Sequence, residues 1–138
     1  MFTKSNLLGT LAGFVVLFLG GWVFYDMLAA DFYASHTTAA GAAAMRGEET
    51  MNLLYIAIGC LVQACIMQSI YSKLAEKGNG FKFGAYFGVF VGLGIGVLNF
   101  GVMDLMDMTG HLVDAVWSIV FYGITGLAIA TVSNKFAD

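Results

Sequence analysis

"GAYFGVFVGLGIG", residues 84–96, decides how this chain folds. Within an apolar run, Gly84, Gly88, Gly92 and Gly96 recur at every fourth position. At about 100° per residue, that spacing draws a nearly straight helical stripe without side chains. A second helix can approach such a stripe to backbone contact, where dispersion and weak Cα–H···O contacts replace the hydrophobic force that lipid removes. The stripe has two uses. It packs inside one bundle, the preferred reading because a four-helix protomer needs at least one close crossing. Otherwise it forms a self-association face that lines a pore. Gly9 with Gly13, and Gly123 with Gly126, are shorter versions in the first and last apolar runs.

The rest of the chain shares this preference for hydrocarbon. Hydrophobic residues make up 59% and charged residues 11% of 138 positions, against roughly 45–50% and 25% in soluble domains. Four runs, 7–25, 51–71, 81–103 and 112–132, suffice to cross a membrane, whose core of about 30 Å needs about 20 helical residues. A backbone in lipid must satisfy its own hydrogen bonds, so each run is expected to be helical. The first is longer than the roughly 7–15 apolar residues of a signal peptide and reads as a spanning helix. No proline is present, so no proline kink or broken helix is expected. The expectation is an all-α polytopic membrane protein: a single domain, 1–138, with four transmembrane helices in an up-down bundle and an outer loop over 26–50.

Charge orients it. Lys4, Lys73, Lys77, Lys82 and Lys135 share one face, with only Arg46 opposite, so the positive-inside rule places both termini in the cytoplasm. Asp26, Asp31, Glu48, Glu49, Asp104, Asp107 and Asp114 gather at the outer ends, leaving Glu76 and Asp138 inside. The net charge of −3 and the lack of a basic tract give no footprint for nucleic acid. Aromatic residues at both boundaries, Trp22, Tyr25, Phe32, Tyr33 and Trp117 outside and Tyr71, Phe81, Phe83 and Tyr86 inside, read as interfacial anchors.

The densest chemistry lies in "GVMDLMDMTGHLVDAVW", residues 101–117. If Thr109-Gly110 makes the turn, Gly110 ends the third helix in a left-handed conformation, and the fourth begins near His111. Asp104 then stands level with Asp114, and Asp107 lies near Leu112. With Asp26 at similar depth, Asp26, Asp104, Asp107, His111 and Asp114 form a candidate ion or proton site, since acids at this depth are costly unless hydrated or paired. A hydrated turn is the simpler reading and is preferred; a relay comes next. One histidine among unordered acids lacks a metal-binding spacing, so no metal or cofactor is expected.

Gln63 and Asn99 are candidate interhelical polar contacts, because an unmet amide in hydrocarbon costs several kcal/mol. Cys60 and Cys65 are about 140° apart around a helix and read as small apolar residues. The outer loop is long enough to be partly helical, a short cap with Arg46 near Glu49 and with His36 solvated.

"GGWVFYDMLAADFY" (20–33), "GAYFGVFVGLGIG" (84–96) and "YGIT" (122–125) preceded by "VDAVW" (113–117) together resemble small four-helix bacterial inner-membrane families of unknown function. The resemblance covers most of the chain in outline, and it implies a fold and a bacterial inner membrane rather than an activity. No nucleophile–base pair or cofactor motif points to an enzyme. The expected role is a structural or accessory membrane protein that self-associates, or joins a larger membrane complex, through its glycine-rich faces. The alternative is a small cation or proton channel or transporter with an acidic outer vestibule.

Overall fold

The computed structural model describes residues 3–74 and 79–137. Glu76, Lys77 and Asp138, which enter the charge argument, lie outside the described residues. Four helices are long and apolar enough to cross a membrane: α1 (Lys4–Leu28), α4 (Leu53–Leu74), α5 (Gly80–Val102) and α6 (Met108–Lys135). Two short helices, α2 (Ala30–His36) and α3 (Ala39–Ala44), connect α1 to α4. Among the described residues there is no β-strand, only a bridge between Thr37 and Met106.

A polar side chain starts each long helix by accepting a hydrogen bond from an otherwise orphaned backbone N–H. Thr3 caps α1 through Asn6 N (3.3 Å), and Asn52 caps α4 through Leu54 N (3.1 Å). Asn79 caps α5 through Lys82 N (3.0 Å), and Asp107 caps α6 through Gly110 N (2.8 Å). Each cap contributes about 1 kcal/mol. The last of them corrects the expected turn. Helix α6 starts at Met108, and Gly110 is buried in its first turn against Met106 and His36, so the connection is residues 103–107. A carboxylate able to cap at Asp107 ends the loop before glycine is needed.

Without proline, two helices still leave simple α geometry. α1 widens to π geometry over Val16–Gly20 and Val23–Leu28, and α5 does so over Val89–Ile95. The wide end of α1 closes where Ala29 N–H donates to the Phe24 carbonyl five residues back, at 2.8 Å. Such stretches re-aim side chains without breaking the helix.

Helix α6 holds the others. In its most apolar window 44% of residues are buried, against 11–17% in α1, α4 and α5. The glycine stripe shows why. A Cβ at Gly80 would meet Ala130, one at Gly84 would meet Tyr122 and Gly126, and one at Gly88 would meet Ser118 and Ile119. At Gly92 it would lie 2.8 Å from the Ala115 Cα. As numbers rise along α5 they fall along α6, so the pair is antiparallel and stays at close contact from Gly80 to Gly92, roughly three turns. Gly96 does not take part: the nearest atom to its Cβ position is the Val91 carbonyl of its own helix, at 3.8 Å. The stripe in contact is therefore Gly80, Gly84, Gly88 and Gly92.

On its other side α6 receives α1. Gly9 faces Ser133 and Gln68, Gly13 faces Ile129 and Ala64, and Gly20 faces Phe121. Two small cores fill the remaining space. Met67, Tyr71, Ile129 and Ala130 pack at one end, and Leu17, Ala64 and Phe121 pack nearer the middle. Outward, α4 exposes Leu53, Leu54, Tyr55, Ile58, Leu61, Val62 and Ile66. An apolar face of that extent suits lipid far better than water.

Candidate functional site

At the outer end, the long connection folds back over the 103–107 loop. Thr38 N–H donates to the Leu105 carbonyl (3.0 Å), Asp107 N–H to the His36 carbonyl (2.9 Å), and the Thr38 hydroxyl to the Asp104 carbonyl (2.6 Å). Gly41 fits because its missing Cβ leaves room for Leu105 backbone atoms. Residues 30–44 thus form a strap of two short helices, tied to the loop by backbone hydrogen bonds at His36 and Thr38.

The strap delivers one side chain to α6, and α1 delivers another beside it. The Tyr33 hydroxyl donates to Asp114 Oδ1 at 2.9 Å, and Tyr25, from the widened end of α1, donates to the same oxygen at 2.8 Å. Burial first, and the Asp114 charge second, raise the Tyr33 phenol well above its ordinary pKa, which keeps it a donor. Beside this triad Phe24 stacks on Trp117 with centroids 3.6 Å apart and planes 12° from parallel. His36 is not solvated as expected. Its Nδ1 lies 2.7 Å from Asp107 Oδ2, with the His36 side chain only 26% exposed. The Gly110 N–H, then His36, hold the Asp107 carboxyl below the usual carboxylate range. Arg46 bonds the Thr50 carbonyl (3.2 Å) instead of Glu49.

The five candidate ion-site residues are therefore distributed. Asp114 belongs with Tyr25 and Tyr33, and Asp107 with His36 and the α6 N-terminus. Asp104 is exposed and takes part through its backbone. Asp26 is exposed on α1 and lines a groove between α1 and the start of α4. His111 packs its ring edge-on to Phe100, and its Nε2 is buried with no partner among the described residues. No three His, Cys, Asp or Glu side chains among the described residues are grouped to hold one metal ion.

Deeper in, Gln63 accepts a hydrogen bond from the Tyr122 hydroxyl, joining α4 to α6. Asn99 is half-buried and makes no side-chain hydrogen bond among the described residues. The stronger polar junction is Gln68, which the sequence does not single out. It donates to Asn6 Oδ1 (3.0 Å) and accepts from the Ser133 hydroxyl (2.7 Å), while Ser5 donates to the Ser133 carbonyl (2.8 Å). Only 2% of Gln68 is exposed, so this network ties α1, α4 and α6 where an unmet amide is costly. The available signal was Gly9, whose bare face admits the amide. Chemically, the outer site offers a carboxylate held by two phenols and a capped carboxylate held by an imidazole. The chain matches no protein-family model, no curated protein and no solved structure.

Proposed function

We propose that this is an integral protein of the bacterial inner membrane, its four long helices forming an up-down bundle with both termini cytoplasmic. Its role is structural or accessory, non-enzymatic and without a cofactor, as a homo-oligomer or as a subunit of a larger membrane complex. One observation carries the reading: most polar side chains along the long helices are committed to one another, as Gln63 with Tyr122, Gln68 with Asn6 and Ser133, and Asp114 with two tyrosines, with Asn99 and His111 Nε2 the exceptions. A transport path or a catalytic centre needs polar groups free to meet a substrate. The described lysines support the orientation, since Lys4 and Lys135 both lie near Phe136, with centroid distances of 5.6 and 5.8 Å.

Association then uses faces other than the one α6 covers. Gly59 on α4 and Gly101 on α5 have nothing within 4 Å of a Cβ position, and both lie on surfaces rich in exposed aliphatic side chains. Small residues there permit close approach of a second membrane helix. The test is native mass measurement of the full chain extracted in membrane-preserving particles. A defined homo-oligomer or hetero-complex is expected, and a bare monomer under all extraction conditions overturns the reading. The channel reading keeps one supporting feature, the exposed carboxylates of Asp26 and Asp104 at the outer end. Cation or proton flux into vesicles that falls on Asp104→Asn would favour it instead.

A further inference from the structure

The outer half of α1 follows α6 and leaves a wedge against α4. Toward the Gly9 end the two helices are close: a Cβ at Gly13 would sit 3.4 Å from the Ala64 Cβ. Farther out, Gly59 of α4 has no neighbour within 4 Å, while α1 turns Gly20 toward Phe121 and Phe24 onto Trp117. The wedge is a groove of about 360 Å³ whose lining includes Leu17, Trp22, Tyr25, Asp26, Met51 and Ile56. That volume lies in the range of small-molecule sites, roughly 300–1,000 Å³.

Its walls are almost all carbon, yet it carries a carboxylate, Asp26, next to the rings of Trp22 and Tyr25. Asp26 forms no ion pair among the described residues. It is on the last turns of α1, where a spanning helix reaches headgroup depth. We propose that the groove binds a phospholipid with an ethanolamine headgroup, its primary ammonium on Asp26 and an acyl chain along Leu17 and Ile56. This rests on the membrane reading above. The charge selects the headgroup: a carboxylate repels a purely anionic lipid and attracts an ammonium. The primary amine adds N–H donors that choline lacks, so it forms charge-assisted hydrogen bonds to the carboxylate. Trp22 and Tyr25 add cation–π attraction from ring faces at the same depth.

The experiment uses the full chain reconstituted into vesicles holding equal parts of ethanolamine, choline and glycerol phospholipids with identical acyl chains. Flotation with the vesicles reads the membrane assignment separately; a chain that does not float overturns that assignment and this proposal with it. For a chain that floats, native mass spectrometry after gentle extraction reads the lipids retained. A preference of roughly tenfold for the ethanolamine lipid over the glycerol lipid is expected from one charge pair and one ring contact. Asp26→Asn should abolish that preference, and Ile56→Trp, which fills the groove, should reduce retention of all three. Should Ile56→Trp fail to fold, Asp26→Asn decides alone, because Asp26 is exposed and the change keeps its size. Equal retention by the parent protein, or an unchanged preference in Asp26→Asn, overturns the proposal while leaving the membrane assignment intact.

Discussion

Replacing Gly92 by alanine adds one methyl group at the α5–α6 crossing. Its carbon would lie 2.7 Å from the Ala115 carbonyl oxygen, 2.8 Å from the Ala115 Cα and 2.9 Å from the Ser118 Cβ. Ordinary contact starts at 3.4 Å, so the helices must part locally by 3.4 − 2.7 = 0.7 Å. A gap of about 0.5–1 Å forfeits a quarter to a half of each dispersion contact beside it. The opposing atoms are mainly backbone and cannot rotate away, which puts the overpacking cost near the top of its usual range of about 1–3 kcal/mol. Alanine's better helix propensity returns about 1 kcal/mol, leaving a net loss of about 2 kcal/mol. Gly96→Ala is the matched control. Its methyl would meet only its own helix at 3.8 Å, so it should gain about 1 kcal/mol. Reversible unfolding in mixed micelles measures both, and the two variants should differ by about 3 kcal/mol. Stabilities within about 0.5 kcal/mol of each other would mean that α5 and α6 do not meet at backbone contact.

In a background of Cys60→Ala and Cys65→Ala, Gly47→Cys should react with an impermeant thiol reagent from outside the cell and Ser72→Cys only after the membrane is opened; the reverse pattern sinks the orientation. Asp114→Asn keeps an acceptor for Tyr25 and Tyr33 but removes the charge, and unfolding measurements should show a loss of about 1–2 kcal/mol. Asp107 has a lowered folded-state pKa, so the stability it lends is full above the ordinary aspartate value of about 3.9 and is lost as pH falls through the lowered value. Hydrogen exchange at residues 36–38 should therefore speed up on that acid limb, and Asp107→Asn, which still caps α6, should flatten the dependence.

Periodicity and composition made the long helices legible, because lipid imposes a constraint that any apolar run of sufficient length must meet. The glycine spacing likewise pointed to a close crossing, and the structure sets that crossing against α6. Its ends were less legible. Gly96 obeys the spacing but follows the stretch, Val89–Ile95, where α5 widens to π geometry, and the resulting shift of register leaves no mark in a residue pattern. Gly110 looked like a helix terminator, yet the neighbouring Asp107 could cap, and a good N-cap outcompetes a permissive glycine for the boundary. The outer site was hardest. His36 and Asp107 lie 71 residues apart, and Tyr33 and Asp114 lie 81 apart. Those pairs depend on the strap folding back, a tertiary event with no local periodicity. Gln68 was hidden for a related reason: its partners Asn6 and Ser133 come from the opposite ends of the described chain.

The central position of α6 also bears on how the protein is made. It is the last of the four long helices to leave the ribosome, yet it covers the glycine face of α5 and partners Gln63, Tyr25 and Gln68. Until it arrives, the nascent chain holds three inserted helices with a bare groove and amides awaiting donors. Those polar groups are costly in hydrocarbon until α6 supplies their partners. A chain stopped ahead of residue 108 would thus lack the contacts that hold the other three long helices together.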